Sequence, residues 1–144
     1  MKIVSHSLTD TEKFAEKFLQ TLPRKETGAT VVGLYGDLGS GKTTFVQAIG
    51  RALGIKDSIQ SPTFVIIKSY KLKANSYKLL VHIDAYRLKS GEELCKLGFE
   101  ELLVEPHNLI LVEWADKVAD ILPKNHRTLN FKFVDETTRE FSIK

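Results

Sequence analysis

Cysteine, methionine and tryptophan are scarce in this chain of 144 residues, which contains one of each. The single cysteine, Cys95, cannot form an internal disulfide, and the histidines show no metal-ligand spacing with it. No apolar run approaches the roughly 20 residues that span a membrane, and the N-terminus lacks the apolar core of a signal peptide. These absences exclude a disulfide framework and predict a cytoplasmic protein without a membrane partner.

Charge of one sign is not concentrated anywhere in the chain. The net charge is +3, and no block of five or more like charges occurs. Lysines between positions 68 and 78, interleaved with two tyrosines, could meet nucleic acid or an acidic surface, although solvated lysines explain them better. With 42% hydrophobic and 27% charged residues, the composition predicts one ordinary globular domain over residues 1–144.

What the chain does contain is the segment GDLGSGKT, from Gly36 to Thr43, which fits the phosphate-binding pattern G-x-x-x-x-G-K-[ST]. A β-branched run, Thr30 to Leu34, precedes it, and a helical pattern, Thr43 to Leu53, follows it. Glycines let successive amide groups turn inward around a phosphate at a helix N-terminus. Lys42 adds a positive charge, and Thr43 adds a hydroxyl suited to Mg²⁺. The segment therefore predicts a nucleotide site with magnesium.

Two further apolar runs end in carboxylates. YKLLVHID ends in Asp84, and NLILVE ends in Glu113. Because the C-terminal ends of parallel strands lie along one edge of a sheet, both acids are expected to converge on the ion held by Thr43. One of them would orient water for hydrolysis, and the residues leave open which one does so. His82 shares a face with Asp84, but a hydrogen-bonded core histidine explains it better than a catalytic one.

The remaining patterns predict an α/β chain. Thr9 with Glu12 predicts the capped start of a first helix that runs to Leu22. Thr63 is either a switch residue that senses a terminal phosphate or a strand start rigidified by Pro62. The other predicted elements are a hairpin (Thr63 to Tyr70 with Tyr77 to Asp84), two helices (Ser90 to Leu97 and Ala115 to Leu122) and a closing hairpin (Thr128 to Val134 with Arg139 to Ile143). The fold class is a P-loop NTPase-like three-layer α/β fold with a mixed, partly parallel sheet and antiparallel hairpins.

Phosphate loops serve several families, so the rest of the sequence has to discriminate among them. No N-K-x-D element follows the second carboxylate, which weakens a GTPase interpretation. The chain has five arginines and no arginine-rich lid, which makes a small-molecule kinase the weaker enzyme hypothesis. An ATP-gated assembly module, in which hydrolysis is incidental, is a further alternative to an ATPase.

Several segments together resemble the TsaE (YjeE) family of bacterial P-loop ATPases, which is needed for the threonylcarbamoyladenosine modification of tRNA. They are GDLGSGKTTF from Gly36, SPTF from Ser61, HIDAYRL from His82, EEL before Gly98 and VEW from Val112. The resemblance spans nearly the whole chain. It implies an accessory ATPase, monomeric when isolated, that binds ATP or ADP with Mg²⁺. It also implies docking on the TsaB and TsaD proteins, so that ATP hydrolysis keeps that complex cycling, with tRNA met only indirectly.

The same resemblance implies roles for individual residues. Asp84 would be the Walker B acid, and Arg139 falls where the family places a nucleotide contact. The cofactor would be bound by Gly36, Gly39, Ser40, Gly41, Lys42, Thr43, Thr44, Asp84 and Arg139. Catalysis would rest on Lys42, Asp84 and Glu113, magnesium on Thr43, Glu113 and Asp84, and switching or partner contact on Thr63, Tyr86, Arg87 and Trp114. Ala85 stands where the family commonly has leucine, which affects local packing rather than chemistry.

Overall fold

A computed structural model describes residues 2–23, 25–56, 59, 66–73 and 76–143. Its strands are β1 (Lys2–Ser5), β2 (Thr30–Gly36), β3 (Ile67–Lys71), β4 (Leu79–Asp84), β5 (Asn108–Glu113), β6 (Arg127–Phe133) and β7 (Arg139–Ile143). Within the described ranges these strands form one sheet in the order β1-β7-β6-β2-β5-β4-β3. Strands β6, β2, β5 and β4 run parallel, and the outer pairs are antiparallel. The predicted mixed sheet with two hairpins is confirmed.

Helices cover both faces of the central strands. Helices α1 (Leu8–Thr21) and α2 (Lys42–Ala52) pack on one face. Helices α3 (Gly91–Lys96) and α4 (Phe99–Leu103), with a 3-10 helix (Ala115–Ile121), pack on the other. This arrangement is the three-layer α/β fold that the sequence predicts. No helix in the described part of the chain is long and apolar enough to cross a membrane.

Strand β5 shows how the two cores are built. All six of its residues are buried, as expected of a central parallel strand that is covered on both faces. Leu109 and Leu111 belong to the core under α1 and α2, whereas Ile110 and Val112 belong to the core under α3 and α4. Successive side chains of a strand point to opposite faces. Glu113 therefore ends β5 on the same face as α2.

A cluster of aromatic rings holds α2 against the sheet. Phe45 of α2 lies between Phe14 of α1 and Phe131 of β6, with ring centroids 5.6 and 5.5 Å away. Phe141 of β7 stacks on Phe14 at 5.1 Å. Burial of each such ring stabilises the fold by about 1.5–3 kcal/mol. The cluster fixes α2 and, with it, the loop that precedes this helix.

Several local features differ from the sequence-based expectations, and helix α4, which the sequence did not predict, is one of them. The N-cap of α1 is Ser7 rather than Thr9, because the Ser7 hydroxyl accepts from the Asp10 amide at 3.1 Å. The Asp10 carboxylate in turn accepts from the His6 amide at 3.0 Å, which satisfies a second amide at this helix start. Strand β1 was not predicted and pairs with β7. The expected helix from Ala115 is a 3-10 helix with a kink at Val118.

Candidate functional site

The phosphate-loop motif connects β2 to α2 and turns sharply at its glycines. Gly36, Gly39 and Gly41 have φ angles of +144°, +77° and +103°, which favour glycine. At Gly36 a Cβ atom would lie 2.4 Å from the carbonyl oxygen of Phe131, so no larger residue fits there. Gly41 is the N-cap of α2, and the helix starts at Lys42. The loop thus delivers Lys42 and Thr43 at the first turn of α2, where the helix dipole favours anions.

Lys42 folds back over its own loop. Its ammonium donates to the carbonyl oxygens of Gly36 at 2.6 Å and Asp37 at 2.8 Å, and to the Ser40 hydroxyl at 3.3 Å. The nitrogen also lies 4.1 Å from the centroid of the Trp114 ring, a cation–π contact. Burial lowers the pKa of the Lys42 ammonium, and the carboxylate of Glu113 opposes that shift. The charge is therefore held in a partly desolvated position.

Glu113 is the buried centre of the site. The residue is 2% exposed, and both carboxylate oxygens accept hydrogen bonds. Oε1 accepts from the Thr43 hydroxyl at 2.8 Å, and Oε2 accepts from His82 Nε2 at 2.5 Å. Glu113 thereby links the first turn of α2, next to the phosphate loop, to strand β4.

Asp84 ends the strand next to Glu113. The two acids are register partners in the parallel β4–β5 pair. Asp84 Oδ1 accepts from the Tyr86 amide at 3.0 Å, which shapes the turn after β4. The sheet thus brings the two acids to one edge, as predicted, and Glu113 is the one hydrogen-bonded to Thr43.

Trp114 turns the chain out of β5. It has φ of +57°, the one non-glycine residue with positive φ among those the structure describes. Its ring contacts Tyr86 at a centroid distance of 4.9 Å, in addition to the Lys42 ammonium. A left-handed backbone at a large aromatic residue is unfavourable and points to a functional constraint. Here the turn places the indole ring directly over the phosphate loop.

A cavity of about 350 Å³ lies where these elements meet. Most of the predicted site residues line it: Gly39, Ser40, Gly41, Lys42, Thr43, Thr44, Asp84, Tyr86, Arg87, Glu113 and Trp114. Gly36 stands behind the loop as an acceptor for Lys42. The predicted switch residue Thr63 lies outside the described residues.

Arg139 lies beside the loop rather than in the cavity lining. Its side-chain stem is 3.5 Å from the place where a Cβ of Gly41 would be. Its guanidinium lies over the Phe133 ring at 4.6 Å and donates to the carbonyl oxygens of Asp135 and Thr138 at 2.5 and 3.0 Å. The predicted nucleotide contact of Arg139 stays a prediction.

The donor atoms in the cavity suit a magnesium ion that is shared with a substrate. Among the described residues no group of three or more histidine, cysteine or acidic side chains could hold a metal alone. The Thr43 hydroxyl and the carboxylates of Asp84 and Glu113 offer hard oxygen ligands in one cavity. Mg²⁺ is commonly held by one or two carboxylates together with substrate phosphates. The residues therefore fit Mg²⁺ bound with a nucleotide.

The strand–loop–helix phosphate motif, set in a sheet with helices on both faces, defines a P-loop NTPase-like fold. The family model described as "Threonylcarbamoyl adenosine biosynthesis protein TsaE" matches residues 5–141, and the chain belongs to this family. The resemblance seen in the sequence motifs is confirmed.

Named relatives agree with the family assignment. The chain is 40% identical to the tRNA threonylcarbamoyladenosine biosynthesis protein TsaE of Rickettsia prowazekii, over 96% of this chain and 90% of the relative. It is 34% identical to the protein of the same name from Treponema pallidum, over 99% of both chains. The crystal structure of Bacillus subtilis YdiB superposes with a TM-score of 0.71 at 28% identity, covering 99% of this chain and 83% of that one. The fold and the family therefore coincide.

Proposed function

We propose that this chain is a cytoplasmic ATPase of tRNA threonylcarbamoyladenosine biosynthesis. It binds and hydrolyses ATP with Mg²⁺, and it acts on the TsaB–TsaD complex to permit repeated turnover. The observation that supports this most directly is the 2.8 Å hydrogen bond from the Thr43 hydroxyl to Glu113, which lies in the cavity of the phosphate loop. The pathway follows from the names of the relatives.

Lys42 and the loop hold the phosphates in this proposal. An ammonium group has three donors, and Lys42 directs them to three acceptors in its own loop. Binding of a phosphate oxygen would replace at least one of those bonds with a charge-assisted one. The exchange makes Lys42 responsive to the presence of a nucleotide.

Thr43 and Glu113 form the magnesium side of the site. Because the Thr43 hydroxyl donates its hydrogen to Glu113, its oxygen lone pairs are left for a cation. A bound Mg²⁺ supplies neutralisation of the charge that develops on the phosphates. Asp84, in register with Glu113 on the neighbouring strand, is assigned to orient the attacking water.

The test is a reconstitution of the modification over many turnovers. The chain is combined with TsaB, TsaD, tRNA and threonylcarbamoyl-adenylate, and wild type is compared with Lys42→Ala. Lys17→Ala, an exposed lysine of α1, is the matched control. We expect product to stop accumulating after the first turnovers with Lys42→Ala only. Equal product from all three proteins would refute the proposal.

A second candidate is an ATP-gated assembly module in which occupancy matters and hydrolysis is incidental. Apolar side chains at the cavity favour it, since Leu38 is 79% exposed and Tyr86 52% exposed. Such exposed apolar groups beside a ligand cavity are available to a protein partner. Asp84→Asn separates the two functions. A variant that binds ATP, does not cleave it and still sustains full turnover would establish the assembly module.

A further inference from the structure

His82 is a fully buried polar residue in the middle of the sheet. It is 0% exposed and lies on β4 between Lys68 of β3 and Leu111 of β5. Its Nε2 atom is 2.5 Å from Glu113 Oε2, and its Nδ1 atom has no hydrogen-bond partner among the described residues. Among the residues that the structure describes, Glu113 is therefore the one polar contact of this imidazole.

Packing alone does not explain a histidine at this position. A buried ring nitrogen without a partner destabilises the fold by about 1–3 kcal/mol, which a leucine of similar size would avoid. Because a proton on Nδ1 would face no acceptor, the hydrogen belongs on Nε2, where it is donated to the carboxylate. The imidazole thus presents one donor, and that donor is directed at Glu113.

The contact constrains the carboxylate at both oxygens. Thr43 donates to Oε1 and His82 donates to Oε2, from two different elements of the fold. Glutamate has several rotatable bonds, so a carboxylate with one donor keeps rotational freedom that two donors remove. Hydrogen-bond partners behind a metal ligand orient it, and their loss commonly weakens metal affinity about 10–100-fold.

We propose that His82 is a positioning residue for Glu113. It holds the carboxylate in the orientation that accepts from Thr43 and presents it to a magnesium ion in the phosphate cavity. This inference rests on the proposed function, because Mg²⁺ at Glu113 is part of it. It assigns to His82 a role in the site in place of the plain core role that its burial alone indicates.

The test compares His82→Leu with His82→Gln, whose side-chain amide can still donate from the ε position. The affinity for a fluorescent ADP analogue is measured by anisotropy, first in EDTA and then over a Mg²⁺ titration. In EDTA we expect both variants to bind as the wild type does. With His82→Leu, the Mg²⁺ concentration for half-maximal enhancement should rise about tenfold or more, and His82→Gln should restore most of the loss.

A thermodynamic cycle without nucleotide examines the contact itself. The midpoint of urea unfolding is measured for His82→Leu, Glu113→Gln and the double variant. If the effects of the two substitutions are non-additive, the two side chains are directly coupled. Additive effects overturn the inference.

Other outcomes also overturn the inference. A Mg²⁺ requirement for His82→Leu within twofold of wild type would do so, as would equal losses in the leucine and glutamine variants. If the wild-type protein itself shows no Mg²⁺ enhancement of nucleotide binding, the proposed function fails as well. That failure is recognisable because it appears without any substitution.

Discussion

Replacement of Lys42 by methionine should stabilise the nucleotide-free protein while it abolishes nucleotide binding. Lys42 is 5% exposed, and burial lowers the pKa of its ammonium despite the nearby carboxylates of Glu113 and Asp37. A lowered pKa means that the fold disfavours the charged form relative to water. Methionine fills a similar volume without charge, so the variant avoids that unfavourable term.

Stabilising substitutions commonly yield about 0.5–2 kcal/mol, and we expect a gain of about 1 kcal/mol here. The carbonyl groups of Gly36 and Asp37 lose the ammonium, but both residues are at least partly exposed and can bond to water instead. The Ser40 hydroxyl is buried and loses a long contact of 3.3 Å, which keeps the expected gain small. In a chain of this size, 1 kcal/mol corresponds to roughly 3 °C in melting temperature. With Mg-ATP at about 100 times its Kd, the wild type should gain about 2.7 kcal/mol and the variant nothing. The order of the two melting temperatures should therefore reverse.

Circular dichroism melts in EDTA and in excess Mg-ATP provide the measurement. Lys17→Met, at an exposed position of α1, serves as the control and should change stability by less than about 0.5 kcal/mol. A Lys42→Met protein that melts several degrees below wild type without nucleotide would refute the reasoning. It would show that the hydrogen bonds to the loop outweigh the desolvation of the charge.

The same substitution has a pH dependence of defined sign. The pKa of Lys42 in the folded chain lies below its ordinary value of 10.5. Between these two pKa values, Lys42 binds fewer protons in the folded chain than in the unfolded chain. Wild-type stability therefore rises with pH relative to the variant between the lowered pKa and 10.5. Urea unfolding at neutral and alkaline pH should show the advantage of Lys42→Met shrinking as the pH rises.

Two further pairs of variants test the loop and its link to Glu113. Gly36→Ala should destabilise the fold by about 3 kcal/mol or more, since its Cβ would meet the Phe131 carbonyl. Gly39→Ala, with open space around it, should lose only about 1–2 kcal/mol of stability, because an alanine is strained at this positive φ. Similar urea midpoints for the two would contradict this. Thr43→Val should lose the Mg²⁺ enhancement of ADP binding and about 1–3 kcal/mol of stability, because a buried carboxylate loses a donor. Thr43→Ser should retain both, and an equally defective serine variant would show that the hydroxyl is not the cause.

Much of the fold follows from local patterns. The β5 strand was predicted with its observed bounds because the segment NLILVE is an apolar run that ends in one acid. The β2–loop–α2 unit was predicted because its glycines and lysine form a contiguous motif. The position of Asp84 and Glu113 at one edge of the sheet followed from the rule that parallel strands end together, and their register pairing confirms that position.

The finer geometry of the site depends on contacts that are distant along the chain. The bond between His82 and Glu113 joins residues 31 positions apart, so no local pattern carries it. The shared face of His82 and Asp84 was the available signal, and it did not show which acid the imidazole meets. The left-handed backbone of Trp114 was also unpredicted, because propensities disfavour it and only the tertiary site maintains it. The missed strand β1 is too short for a period of two to stand out.

Trp114 has a practical consequence for work on this protein. It is the sole tryptophan of the chain, and its ring lies 4.1 Å from the Lys42 nitrogen. Tryptophan emission from the isolated protein therefore originates beside the phosphate loop and nowhere else. A displacement of Lys42 or Tyr86 alters the surroundings of that single fluorophore. The chain carries its own optical reporter, which can follow events in the cavity without a label.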